Sequence, residues 1–399
     1  MTVTPATVDA TGHPAPDVRR RRIRIVDRLR GLMIVLMVLD HVRDYFHVSA
    51  LTSQPTDLSQ TTPTLFMTRW VTHLCAPTFV FLAGASVYLQ RAHTDLPALS
   101  RFLALRGLWL ILLELTVIAF AFNFSWPFLF LQVIWAIGGG FLLLSALLWL
   151  PRRAVLAMGV AIVAGHPLLA MLVPGEGGWT VASRLLFSPG PVGNLPGFLV
   201  YPLLPWFGIM ALGYGLGHVF ERPAPDRNRI LLLLGTGMLL AFAALRASRL
   251  PMDPIPWSHR GDAVMTLLSF INVLKYPPSL LYVLATLGVS LLLAPLLERL
   301  RGPAASLLDA IGATPFFTYL LHIFLVHGLA MLVGMAMGIA PGAFVNFLGD
   351  PGRLIEARWG ITLGQVYVVW IACVLALWPV ARWYAGVRRR HGWWWLRFL

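Results

Sequence analysis

Stretches of about 20 apolar residues recur along this 399-residue chain, separated by short basic segments. A stretch of that length spans the roughly 30 Å hydrocarbon layer of a bilayer as a helix. Inside that layer every backbone N–H and C=O must be bonded within the chain, which excludes open sheets and exposed loops. The sequence is 58% hydrophobic and 12% charged, about half the charged fraction of a soluble domain. The expected fold is therefore an all-α polytopic membrane bundle whose first partner is the lipid bilayer. The net charge of +14 does not argue for nucleic acid, because the cations flank the apolar runs.

The runs place ten spans at about 28–47, 68–90, 102–121, 127–149, 154–173, 197–219, 230–248, 280–296, 312–336 and 361–386. Residues 1–18, rich in Thr, Pro and Ala, read as a disordered tail. Residues 19–387 form the membrane domain, and 388–399 a basic, Trp-rich tail. Residues 174–196 form a Gly/Pro-rich loop that can re-enter the membrane, and 263–274 are too short to span. With ten spans both termini share a side, and the 31 Arg and Lys divide 22 to 9 in favour of that side. The positive-inside rule makes it cytoplasmic.

The first apolar run ends in Asp-His-Val-Arg-Asp and not in a small-residue cleavage site. It reads as a retained anchor helix. Cys75 and Cys373 both lie in apolar runs, which argues against a disulfide framework. Metal-ligand spacing, a phosphate-binding Gly loop and a Ser nucleophile elbow are not seen. Gly138-Gly139-Gly140 falls inside an apolar run and reads as a packing or hinge site.

That first helix concentrates the chemistry. It carries Asp27, Arg28 and Arg30 at one end and Asp40, His41, Arg43 and Asp44 at the other. Ionisable residues near the hydrocarbon are costly and mark functional sites by default. Fourteen residues bring Asp27 and His41 within roughly 40° on one face, about 21 Å apart along the axis. Arg30, Ile34, Met37 and His41 make one stripe between them. A His held by a carboxylate is a general-base candidate. Asp40 or Asp44 is the expected orienter, and either can instead stabilise Arg43. The plainer reading is an interfacial charge cluster just past the span.

Further candidates follow along the chain. Arg101 and Arg106 open the third span, where they can hold phosphates or simply anchor the helix. Glu114 can balance an Arg. Lys275, the chain's one lysine, precedes Tyr276-Pro277-Pro278; it can bind an anionic acceptor, pair with Asp40 or Asp44, or snorkel. His322 lies mid-span, where packing is the commoner role, and His327 falls on a different face.

These residues carry a resemblance. Val-Asp27-Arg-Leu-Arg30-Gly-Leu, followed by Leu-Asp-His41-Val-Arg-Asp, resembles the opening of transmembrane acyltransferases. It is most similar to the bacterial branch related to heparan-alpha-glucosaminide N-acetyltransferase. Trp70-Val-Thr-His73-Leu-Cys-Ala-Pro77-Thr-Phe-Val-Phe-Leu-Ala-Gly84, Lys275-Tyr-Pro-Pro-Ser279 and Tyr319-Leu-Leu-His322 extend the likeness over about 25–385. The resemblance implies acetyl transfer across a bacterial cytoplasmic membrane, from cytoplasmic acetyl-CoA to an amine or hydroxyl of a glycan-type or small-molecule acceptor. His41, Asp40, Asp44 and His73 would then be catalytic. Asp27, Arg30, Arg101 and Arg106 would face the donor, and Lys275, Tyr276 and His322 the acceptor. The sequence departs from the family at His73, where the lysosomal enzyme carries an Asp. That enzyme's catalytic His also precedes this motif, so His73 rivals His41. A transporter or flippase with a charged pathway is the alternative, and a membrane sensor the third reading. A homo-oligomer stays open.

Overall fold

The computed structural model describes residues 16–171, 179–391 and 393, with side chains from Arg24 onward and not for 169–180. Of the described residues, 73% are helical. Among the described residues, seven helical segments are long and apolar enough to cross a membrane. Residues 1–15 of the expected tail at 1–18, 172–178 of the long loop, and 392 and 394–399 of the expected tail at 388–399 lie outside the described residues.

Helix α1 (Pro16–Phe46) is the axis of the bundle. It is followed by α2 (Pro63–Thr72) and α3 (Cys75–Arg91), one candidate span interrupted by a turn at His73-Leu74. The Thr62 side chain caps α2, with Pro63 next to it, and Asp95 caps α4 (Leu96–Leu113) in the same way. A π-helical turn at Glu114–Ile118 leads into α5 (Ala119–Asn123). Then come α6 (Val133–Leu147), α7 (Arg152–Met171), α8 (Trp179–Phe187), α9 (Leu203–Leu216) and α10 (Ala224–Ala247). The short segment expected near 263–274 is α11 (Ala263–Ile271). Helix α12 (Leu280–Arg299) starts at the Ser279 cap. Helices α13 (Gly302–Ala313), α14 (Pro315–Ala336), α15 (Gly352–Glu356) and α16 (Leu363–Arg390) complete the chain, the last opened by a Thr362/Gln365 capping box.

Two elements depart from the expected layout. Helix α13 fills what reads as a loop, and it packs along α1. A small sheet joins β1 (Leu129–Leu131), β2 (Gly190–Pro191) and β3 (Gly197–Leu199) in the order β1-β3-β2. Gly190 and Pro191 of the Gly/Pro-rich loop thus pair with β3 beside the bundle. The basic segment from Arg388 to Arg390 forms the last turn of α16.

Helix α1 packs against α13, α14, α12, α16 and α3, which removes lipid from most of its circumference. The α1–α13 approach depends on Gly31 and Gly312. A Cβ at Gly31 would overlap the Leu308 carbonyl, and one at Gly312 the Asp27 carbonyl. Small residues let two helix backbones touch, so the Gly after Arg30 is a packing requirement. Gly84 and Gly213 do the same for α3 and α9, and Gly138 meets Gly107 of α4. Arg28 clamps the same corner. It bonds Asp309 at 2.7 Å and donates to the carbonyls of Leu297, Glu298 and Leu300 at the end of α12. The apolar windows of α10 and α16 are only 22% buried, against 72% for α2–α3 and α9, so the former pair face lipid.

Replacing Gly31 by Val forces this backbone contact apart. Overpacking typically costs about 1–3 kcal/mol, and a rigid carbonyl leaves little relief. The expected result is a lower melting temperature in detergent and a loss of folded yield. An unchanged melting curve would show that α1 and α13 are not in contact.

Candidate active site

Two cavities lie end to end along α1. The first, of about 170 Å3, is lined by Asp40, His41, Asp44, Arg69, Lys275 and Tyr276 among others. The second, of about 560 Å3, is lined by Asp27, Arg30, Ser86, Gln90, Arg106 and Arg388 among others. Met37, Val133 and Tyr319 line both. The α1 stripe therefore runs the length of the pair: Arg30 and Ile34 face the larger cavity, Met37 lines both, and His41 faces the smaller one.

His41 is held by another histidine. Its Nδ1 lies 2.7 Å from Nε2 of His322, and the rings stack at 5.0 Å with planes 17° apart. Phe122 meets His41 edge-on at 5.2 Å. His322 Nδ1 is 3.3 Å from the Thr318 carbonyl, one turn back on α14. A carbonyl only accepts, so His322 donates from Nδ1 and accepts at Nε2. His41 must then donate from Nδ1, which leaves its Nε2 lone pair for the cavity. The network assigns this tautomer.

The expected carboxylate orienter is engaged elsewhere. Asp40 accepts from Arg69 Nη1 through both oxygens at 2.7 Å, from Thr72 at 2.6 Å, and pairs with Arg43 Nη1 at 2.7 Å. Asp44 pairs with Arg43 Nη2 at 2.5 Å. Both acids thus neutralise arginines, and Arg43 is 2% exposed, so its charge requires them. Asp40→Asn leaves Arg69 and Arg43 short of their common counter-charge. Breaking a buried pair costs about 3–5 kcal/mol, and the expected readout is a marked fall in melting temperature. A carboxylate that only served catalysis would leave melting unchanged.

Several other expected residues fall in different places. His73 lies in the turn between α2 and α3, buried, with its ring 5.6 Å from Tyr282 and its carbonyl accepting from the Tyr282 hydroxyl at 2.8 Å. It does not line either cavity. Arg101 is exposed on α4 and away from both, whereas Arg106, one and a half turns further, lines the larger cavity. Glu114 does not balance an arginine. Its Oε1 accepts from the Gln132 N–H at 2.5 Å, where α6 begins without a cap of its own. It holds the strand-to-helix corner that presents Gln132 and Val133 to the smaller cavity. His327 lies between the carbonyls of Ala121 and Phe344, each 2.9 Å away, and braces α14.

Lys275 lines the smaller cavity with its ammonium 4.9 Å from the Tyr276 ring centroid. It forms no ion pair with Asp40 or Asp44. Arg30 pairs with Asp27 at 3.5 Å and donates to the Ser86 hydroxyl across the α1–α3 contact. Arg388 reaches the same cavity from the last turn of α16 and donates to the Ala313 carbonyl at 2.7 Å. Its signal in the sequence is the apolar run of the last span, which continues in helical register up to the Arg cluster. Among the described residues, no group of three or more His, Cys, Asp or Glu is placed to hold a metal.

The arrangement offers an imidazole lone pair in a small chamber that also holds Asp40, Asp44, Arg69 and Lys275, and three arginines against one aspartate in a larger one. A family model described as heparan-alpha-glucosaminide N-acetyltransferase, catalytic, matches residues 22–250, more than half of the chain. The match includes α1 to α10, and so Arg30, His41 and Arg106, and stops before Lys275, Tyr319 and His322. No curated protein matches the chain.

Proposed function

The chain belongs to the heparan-alpha-glucosaminide N-acetyltransferase catalytic family, and from that premise we propose that it transfers an acyl group from acyl-CoA to an amine or hydroxyl acceptor across the membrane. The observation that carries this reading is the pair of cavities that share Met37, Val133 and Tyr319 in their walls. One is basic and the other holds a base.

The larger cavity fits a phosphorylated donor. Its volume lies in the about 300–1,000 Å3 range of small-molecule sites, and Arg30, Arg106 and Arg388 outnumber Asp27 along its lining. Guanidinium groups match phosphate oxygens in planar, multi-donor geometry. Asp27 and Arg30 are about 21 and 17 Å from His41 along the helix axis. A donor with a phosphate head and a long thin arm suits that separation, and CoA supplies such an arm with a thioester carbon activated toward attack.

His41 Nε2 takes the proton from the acceptor nitrogen or oxygen as that atom attacks the thioester carbonyl. The resulting imidazolium keeps its Nδ1–H on His322 Nε2, and this bond strengthens as positive charge develops. His41 then returns the proton to the leaving sulfur. Lys275 and Tyr276 hold the acceptor at the far wall. The chain crosses the membrane ten times, with α1, α6 and α7 added to the seven long apolar segments. The excess of Arg on one side supports a larger cavity open toward the cytoplasm of a bacterial inner membrane and a His41 chamber facing outward. The acceptor class that fits such a chamber is a glycan end or a small amine or alcohol.

Arg30→Gln and Arg106→Gln test the donor site. Hydrogen bonds to charged groups contribute about 1.5–3 kcal/mol, so each change is expected to raise the KM for acetyl-CoA about tenfold or more. The kcat should hold within a few-fold, the signature of lost uniform binding. Unchanged KM in both variants, assayed with radiolabelled acetyl-CoA and cell-envelope extract, would remove the donor from this cavity.

A further inference from the structure

A second basic recess lies outside the two cavities, where the end of α3, the start of α7 and the 3-10 turn after α9 (Gly217–Glu221) meet. It encloses about 390 Å3 and is lined by Tyr88, Arg91, Ala92, Arg152 and Glu221. None of Arg30, Arg106 and Arg388 lines it. It opens at the same end of the bundle as the donor cavity, since Gln90 lines that cavity and Arg91 this recess.

Neutral groups fix both arginines. Arg91 Nη1 donates to the Tyr214 hydroxyl at 2.5 Å. Arg152 Nη1 donates to the Gly215 carbonyl and to His218 Nδ1, each at 2.6 Å, and its guanidinium sits 6.0 Å from the Tyr88 ring centroid. The Tyr88 ring is braced by Tyr214 at 5.9 Å. Among the described residues, neither guanidinium forms an ion pair with a carboxylate. Each of these heads spends one or two of five donors on neutral partners that hold it in place. Two cations thus converge on a recess with Glu221 as its one acid.

The surroundings are those of a membrane boundary. Trp149 and Leu150, just before Arg152, are exposed, and so is Val160 two turns along α7. Trp at the headgroup level and bare apolar residues beyond it are what lipid contact requires. We propose that this recess binds the phosphate of an anionic phospholipid headgroup, with the acyl chains lying along α7. Basic pockets between helix ends take such headgroups, and arginine forks match phosphate oxygens. A soluble phosphate ester shares this chemistry.

The test titrates the purified full chain in neutral detergent with tail-labelled phosphatidylglycerol, read by fluorescence anisotropy. The affinity is expected to fall at least tenfold in Arg91→Gln/Arg152→Gln and to stay unchanged in Arg30→Gln. Glu221→Gln keeps both arginines, so it reads the recess even if the double variant does not fold, and it should tighten binding about threefold. Displacement of the lipid by millimolar inorganic phosphate supports the phosphate site and assigns its source to a soluble anion. Equal affinities in the wild type, Glu221→Gln and the double variant overturn the proposal.

Discussion

His41→Gln is expected to lower kcat/KM for acyl transfer by about 100- to 10,000-fold, the usual contribution of a positioned general base, with acetyl-CoA binding unchanged. Glutamine fills the same space and keeps a donor toward His322, but it has no basic nitrogen. The loss is therefore chemical and not one of packing. His322→Gln should cost less, because it removes the group that fixes the His41 tautomer and leaves the base itself in place. The 2.7 Å contact between Nδ1 of His41 and Nε2 of His322 sets this order. His73→Gln belongs outside the series, since His73 packs against Tyr282 and does not line either cavity. Single-turnover transfer from labelled acetyl-CoA measures all three. Equal losses in His41→Gln and His73→Gln would remove His41 from its assigned role.

Met37→Trp addresses the neck. Met37 lines both cavities together with Val133 and Tyr319. An indole there blocks the passage without touching a charged group. Transfer should fall more than about 100-fold, since displacing a reacting group by even 1 Å can cost that much, and donor affinity should hold within a few-fold. Met37→Leu conserves volume and should stay near wild type. Isothermal titration with a CoA thioether, run beside the transfer assay, separates binding from passage. If Met37→Trp transferred at the wild-type rate, donor and acceptor would not meet through this neck.

Much of this site is legible in the first helix alone. The period of 3.6 residues puts Arg30, Ile34, Met37 and His41 on one stripe, and in the structure that stripe lines both cavities in turn. The membrane class follows from the apolar run lengths, because hydrocarbon leaves the backbone little choice. What is not legible is which residue answers each charge. His41 meets His322, 281 positions away, and Arg28 meets Asp309 at the same separation. No local period encodes such pairs. Asp40 looks like a partner of its neighbour His41, but a carboxylate beside two arginines and a threonine hydroxyl is held by them. Glu114 looks like half of an ion pair, yet the start of α6 has backbone N–H groups that need an acceptor. Helix α13 was hidden because its short pattern sits between two strong apolar runs. Arg388 read as part of a tail because clusters of arginine after a span usually anchor it at the interface.

The proposed mechanism requires one donor to bridge the arginine cavity and the histidine cavity. The most direct test is a cryo-EM structure of the full chain with a non-hydrolysable acetyl-CoA thioether. Phosphate density is expected among Arg30, Arg106 and Arg388, with the arm passing Met37 and the acyl end beside His41 Nε2. Phosphate density elsewhere, or an acyl end that stops short of the neck on the Arg30 side, would contradict it.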